Sequence, residues 1–360
     1  ACWFKKAADF IQDTKIECAF VATNSITQGE QVAAIWENLG VEINFAYRTF
    51  QWQSESENMA HVHCVIISFA NFARKQKIIF DGEEKIFAEN INGYLQNAPN
   101  VYIKNRTKTL QKNIPPMFFG NMAADNKNFS LTEDEKNYFI EKYPDAKKFI
   151  KNLVGGEEFL NGKKRFCFWF VNYSLEEIKK FPEIYCRVEK IREFRLNSTF
   201  KKIADRPHEF RDLKNPKKFL AVPQVSSENR KYIPIDFLDE NFIPTTQLLI
   251  IPDANLFHFG ILNSSVHMAW TKNFCGRLKS DFRYSKDIVY NNFVWCKPTA
   301  EQKNKIEQTA QKILDCRKNY PNSTLATLYN EKTMPEDLRQ AHAENDLAVM
   351  EAYNFDKNLT

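Results

Sequence analysis

Residues 16–31 read IECAFVATNSITQGEQ. The apolar run Ile16–Val21 follows polar Asp13, Thr14 and Lys15, so the composition predicts a short buried strand. Thr23, Asn24 and Ser25 then form a polar turn, and Glu30–Leu39 reads as a helix stopped by Gly40. Working outward, residues 1–13 read as a helix with Trp3, Phe4, Ala7, Ala8 and Ile11 on one side. Val41–Phe50 and Ala60–Phe69 are two further strands, joined by the polar stretch Gln53–Asn58. Helix, strand, helix, strand, strand is the closing half of an α/β sheet that ends in a hairpin. A hairpin requires antiparallel neighbours, so the sheet is expected to be mixed.

The texture changes near residue 75. The charged run Arg74–Lys77 breaks the pattern, and Asp81 and Gly82 mark a turn. From there to about 293 the segments are short and irregular. Helices are expected at Thr132–Lys142, Glu176–Lys180 and Ile184–Lys202, and strands at Phe166–Val171, Tyr232–Ile235 and Leu248–Ile251. From Thr299 the pattern is helical again, over Glu301–Lys318 and Glu336–Tyr353. The chain shows no internal repeat.

A length of 360 residues implies two or three units, and a hydrophobic content of 43% is enough for real cores. Most of the 31 Phe and 13 Tyr are expected in cores, and a nucleic-acid surface could use the rest. Net charge is +5, unevenly spread. Residues 140–235 hold 22 Lys/Arg against 13 Asp/Glu, while residues 1–75 hold 6 against 8 and residues 299–360 hold 8 against 10. A basic middle fits a polyanion held by one module, or a lysine-rich solvated face. The eight cysteines include no C-x-x-C pair, which argues against structural zinc and suits a reducing, cytoplasmic setting. No run of about 18 apolar residues occurs, so no membrane span is expected.

Three segments carry candidate chemistry. Asn24, Ser25 and Thr27 follow a strand at the end where α/β sheets bind ligands and could line a cleft. Equally, Thr27 stands three residues before Glu30, as in a capping box. Residues 45–52, FAYRTFQW, place an aromatic cluster at the tip of the hairpin. An enzyme that works on an extruded base needs such a face, and local packing is the competing reading. Residues 277–286, RLKSDFRYSK, put Lys279 and Asp281 on one side if the backbone is extended. Lys can donate to guanine and Asp can accept from cytosine, so together they could read one base pair. Arg277, Arg283, Tyr284, Ser285 and Lys286 could hold phosphates. A surface ion pair between Lys279 and Asp281 explains the same residues more cheaply.

Other signals are weak. Residues 113–118, NIPPMF, approach the Asn-Pro-Pro-aromatic motif of amino-methyltransferases, but Ile114 intrudes and no strand precedes it. Asp81–Lys85 only loosely matches a nuclease carboxylate–lysine set. His61 and His63 have no third ligand nearby. No Gly-x-Gly loop exists to cradle an adenosyl cofactor.

Taken together, residues 20–31, 45–52 and 60–69 resemble the late methyltransferase motifs of the MmeI-like DNA methyltransferases. The resemblance continues in order through 116–122, 156–159, 162–165, 225–228, 232–235 and 256–260. It runs on through 267–270 and 275–293, and into Tyr320, Pro321, Leu328 and Tyr329. It implies adenine-N6 methylation of double-stranded DNA with S-adenosylmethionine, in a restriction–modification setting, with a nuclease domain on some members. On this map residues 1–75 are the α/β end of the catalytic domain, the closing half of a mixed sheet with a terminal hairpin. Residues 76–296 are an α+β target-recognition domain, and 297–360 an α-helical C-terminal segment. Phe50 matches the ring that stacks on the flipped base, and Arg277–Lys286 falls on the base-reading face. The family's cofactor loop and catalytic motif are expected upstream of residue 1, so no catalytic residue and no bound cofactor are expected in this chain. A nucleic-acid-binding module without methyltransferase activity is the alternative.

Overall fold

A computed structural model describes residues 2–52 and 62–356. The expected linker Gln53–Asn58, the first residues of the Ala60–Phe69 strand and His61 lie outside the described residues. The chain forms two compact units, residues 1–112 with 269–295, and residues 113–268 with 296–360.

The first unit is built on a five-stranded sheet. Helix α1 (Cys2–Phe10) leads into β1 (Glu17–Thr23), then α2 (Gly29–Trp36), β2 (Glu42–Trp52) and β3 (Val62–Ala70). Two further strands, β4 (Lys77–Asp81) and β5 (Glu84–Ala88), complete it in the order β1-β3-β2-β4-β5. The β2–β3 and β1–β3 pairs are antiparallel and β2–β4 is parallel, so the sheet is mixed as expected. The charged run at 74–77 does not end it. Lys77 opens β4 and is buried, its ammonium 2.6 Å from Glu42 and 3.3 Å from the Asn90 side chain. The boundary drawn at residue 75 from that charge run therefore falls inside a sheet.

One face of the sheet packs on both helices. Val65, Ile67 and Phe69 of β3 and Ile43 and Ala46 of β2 meet Phe4, Ala8, Val32 and Trp36. Alternation puts every second residue of β3 on this face, and a register shift between Ile43 and Phe45 brings both Ile43 and Ala46 of β2 to it. Trp3, expected on the buried side of α1, is exposed.

The second unit carries two four-stranded sheets. One is antiparallel, in the order 236–239, 218–223, 248–252, 118–119. The other runs 242–244, 150–154, 166–168, 130–131, and its first pair is parallel. Phe129, Phe149, Phe168, Phe170 and Phe210 pack around it, so much of the aromatic load is core. Helices form at Glu133–Lys142, with a Thr132–Glu135 capping box, at Leu175–Lys179 and at Pro182–Leu196. The run Tyr232–Ile235 is not a strand. It is buried, but Tyr232 stacks on His342 at 4.2 Å and donates to Asp346 at 2.7 Å, with no ladder partner.

The helices Ala300–Lys318 and Glu336–Ala352 pack on Leu256–Leu262 in this same unit. Gly260 permits the approach. A Cβ there would lie 2.7 Å from Ile306 and 3.2 Å from Ala310. No described helix is long and apolar enough to cross a membrane.

Candidate nucleic-acid interface

Three features of the first unit bear on nucleic-acid chemistry: the turn after β1, the outer face of β2, and the arm 269–295.

Asn24–Thr27 forms one 3-10 turn directly after β1. Asn24 is half-buried and Ser25 exposed, with Ser25 Oγ 3.0 Å from Thr23 Oγ1. Thr27 departs from both readings. It is buried, and its hydroxyl donates back to the Asn24 carbonyl at 2.8 Å, so it lines no cleft. It caps nothing either, because α2 starts at Gly29 behind Gln28 with no side-chain cap.

The aromatic residues of β2 share the face opposite the helices, although their spacing (45, 47, 50, 52) breaks strict alternation. A bulge restores the phase. Tyr47 faces Ile66 and Phe50 faces Cys64, so three steps on β2 match two on β3. Tyr47 stacks on Phe80 at 5.2 Å, and Phe50 lies 6.0 Å from Tyr47 and 6.4 Å from Trp52. Phe50 is half-buried and Trp52 exposed. The result is a ring row whose outer end stays open to solvent.

The arm 269–295 belongs by sequence to the recognition segment, yet it packs in the same unit as β1–β5. Phe274 meets Tyr94 edge-on at 5.0 Å, and the Trp270 indole donates to the Val289 carbonyl at 3.0 Å. Strands Gly276–Leu278 and Asp281–Arg283 form a hairpin with Leu278 opposite Asp281. The hairpin starts against α2, since a Cβ on Gly29, itself at φ +52°, would lie 3.4 Å from Gly276.

This geometry revises the readings along 277–286. Lys279 is not extended. With Ser280 it makes the two-residue loop, at φ +59°, a conformation glycine adopts at lower cost. Lys279 is exposed and Asp281 half-exposed, and among the described residues no ion pair joins them. Arg277 braces the loop instead of facing outward. It donates to the Ser280 and Lys272 carbonyls, both at 3.2 Å, and stacks on Phe282 at 3.9 Å. Tyr284 is buried, with burial pushing its hydroxyl pKa well up, so it is core and not a phosphate contact. Ser285 caps the π-helix Lys286–Tyr290, and Lys286 pairs with Asp287 at 2.5 Å. Arg283 is exposed, and its guanidinium has no partner among the described residues. Of the seven residues along this stretch, Lys279 and Arg283 are exposed and Asp281 is half-exposed.

The basic middle also narrows. Lys142, Lys164, Arg165, Arg187, Arg206 and Arg211 each pair with a neighbouring carboxylate. Lys147, Lys180, Lys190, Lys201, Lys202 and Lys217 have no ion-pair partner among the described residues. Among the described residues no His/Cys/Asp/Glu group could hold a metal.

Comparison with known proteins finds three family matches along the chain. Residues 1–81 match the family "MmeI, DNA-methyltransferase domain", 97–297 "MmeI, target recognition domain" and 298–360 "MmeI, C-terminal domain". The chain is 39% identical over 359 residues to DNA methyltransferase A of Bacillus subtilis (strain 168). That match covers 98% of this chain and 41% of the relative. It is also similar to the solved Type IIL restriction-modification enzyme MmeI in complex with DNA, at 42% identity and a TM-score of 0.94, over 99% of this chain and 50% of that one. The chain thus spans half or less of the proteins it matches.

Proposed function

Because the chain belongs to the MmeI family, we propose that it is the sequence-choosing part of a site-specific DNA methyltransferase acting on adenine N6 in duplex DNA. One observation carries this reading. The open aromatic face around Phe50 and the hairpin that presents Lys279, Asp281 and Arg283 belong to one compact unit, although the sequence separates them widely. An enzyme that modifies a base must extrude it, hold its face and find the site around it. Phe50 supplies the face, the Asn24–Ser25 turn is the pocket wall, and the hairpin reads the neighbouring base edges. That the same protein also cuts DNA is a second reading, supported by the restriction–modification activity of the solved relative.

S-Adenosylmethionine is the methyl donor this family membership implies for the full-length protein. The residues described here do not make a cradle for it. No Gly-x-Gly loop is present, and the Thr27 hydroxyl is buried and bonded to the Asn24 carbonyl. No step is therefore assigned to the donor within this chain.

The reading is tested on the chain itself by titrating duplex DNA at several salt concentrations. With roughly four to six phosphates engaged, the log–log slope of affinity against salt should lie near about −4 to −5. Absence of binding even at low salt would overturn it.

The Phe50 assignment gives a second expectation. Losing one base–aromatic stack costs about 1–3 kcal/mol. Phe50→Ala in the full-length protein should slow methylation by roughly ten- to a hundredfold at the same site, with folding intact. A variant that loses stability and keeps its rate would make the ring core packing.

A further inference from the structure

The stretch 101–112 has no helix or strand. It carries cations at alternate positions, Lys104, Arg106 and Lys108, all exposed. Such a segment has to satisfy its backbone polar groups elsewhere. Here the arm does so. The Arg106 amide donates to the Asp287 carbonyl at 3.0 Å and the Leu110 amide to the Asn291 carbonyl at 3.0 Å. Asn291 donates to the Arg106 carbonyl at 2.6 Å.

Asn292 is the centre of the latch. It is buried, and its amide nitrogen faces the carbonyls of Lys104, Asp287 and Ile288 at 3.0, 2.8 and 3.1 Å. Carbonyls only accept, so the nitrogen has to point at them and Oδ1 has to point away. That oxygen accepts from Arg106 Nε at 3.0 Å. One edge of the guanidinium is thereby fixed, and its other nitrogens have no partner among the described residues. Glu30 accepts from Asn105, Glu37 pairs with Lys104 and Asp287 with Lys286. Among the described residues no ion pair joins Arg106 to a carboxylate, and its free edge is aimed in advance and exposed.

We propose that Arg106 is a phosphate clamp for the DNA backbone, with Asn292 as its positioning residue and Lys108 as a weaker neighbour. A guanidinium suits phosphate because its planar fork matches two oxygens, and an arginine already held loses less freedom on binding. The site rests on the DNA-binding reading above and adds a contact outside the hairpin. It sets how firmly DNA is held and leaves the choice of sequence alone.

The experiment is fluorescence anisotropy of a labelled duplex with the 360-residue chain, across a range of about 50 to 200 mM salt. Arg106→Gln should make the log–log slope shallower by about 0.9 and weaken binding about five- to tenfold at the low-salt end, equally for unrelated duplex sequences. Arg106→Lys should recover most of the slope. Asn292→Ala should act in the same direction, and combined with Arg106→Gln it should add little, since both remove one contact. Arg106 is exposed, so its variant carries the test even if Asn292→Ala fails to fold. A folded Arg106→Gln variant with the wild-type slope overturns the clamp. So does one that loses only thermal stability, which would make Arg106 no more than a partner for Asn292. If the wild-type chain shows no salt-dependent binding at all, the DNA reading itself fails.

Discussion

Replacing Arg195 with methionine is expected to unfold the unit formed by residues 113–268 and 296–360. Arg195 is fully buried, on the helix Pro182–Leu196. Its guanidinium donates five hydrogen bonds to backbone carbonyls: Ala123 at 3.0 Å, Ala124 at 2.9 Å, Ile203 at 3.1 Å, Arg206 at 2.9 Å and Glu209 at 2.6 Å. Among the described residues no carboxylate pairs with it directly. Burial pulls its pKa down to about 10, with repulsion from Arg206 adding to the effect, so it stays charged at neutral pH. The loop it grips is strained, since Ala124, Asn126 and Lys127 sit at φ +51°, +48° and +65°. Non-glycine residues in that region cost about 1–3 kcal/mol each and persist only where surroundings enforce them.

Methionine removes all five donors. Each buried carbonyl left unpaired costs about 1–3 kcal/mol, against a typical total stability of about 5–15 kcal/mol. Urea unfolding followed by fluorescence of the buried Trp169 should show a loss of more than about 4 kcal/mol, or no folded baseline. Lysine at 195 keeps the charge but has only three donors, so it should recover part of the loss. A change under about 1 kcal/mol for the methionine variant would mean that water replaces the guanidinium and that the residue is dispensable.

Much of the first unit was legible because its signals are local. The apolar run before Asn24, a helix in the 29–39 segment (it ends at Trp36, short of Gly40) and the antiparallel neighbours needed by a hairpin all follow from residues close in sequence. What escaped was non-local or depended on phase. The bulge between Tyr47 and Phe50 leaves no mark on composition, yet it decides that Phe50 joins Tyr47 and Trp52 on one face. The fold-back of residues 269–295 onto residues 1–112 depends on contacts such as Phe274 with Tyr94, which no local pattern encodes. Lys279 occupies a position where a glycine would have announced the turn. Tyr232–Ile235 has strand composition because it is buried, but helices bury it and no ladder does.

Lys279 also makes the reading of the DNA site most exposed to test. A left-handed lysine at a hairpin tip costs on the order of 1–3 kcal/mol, which a contact made by its side chain on DNA would offset. Lys donates only, ionised Asp accepts only, and Lys279 and Asp281 flank Ser280 at the tip. On the proposed reading, the pair would face guanine and cytosine of one G·C pair in the major groove. Exchanging their chemistry, with Lys279→Glu and Asp281→Arg together, reverses the donor–acceptor order without adding backbone strain, since Glu and Lys tolerate the loop conformation similarly. Each single change leaves one mismatched partner and should weaken activity by about 1–3 kcal/mol.

The most direct measurement is methylation of a randomised duplex library by the full-length protein, with N6-methyladenine read at base resolution. The wild type should methylate adenine within one defined sequence, and the double variant should change its preference at a single position from G·C to C·G while every other position holds. No adenine methylation by the wild type, or a double variant that keeps the original site at full activity, would contradict the assignment of this hairpin as the part that chooses the sequence.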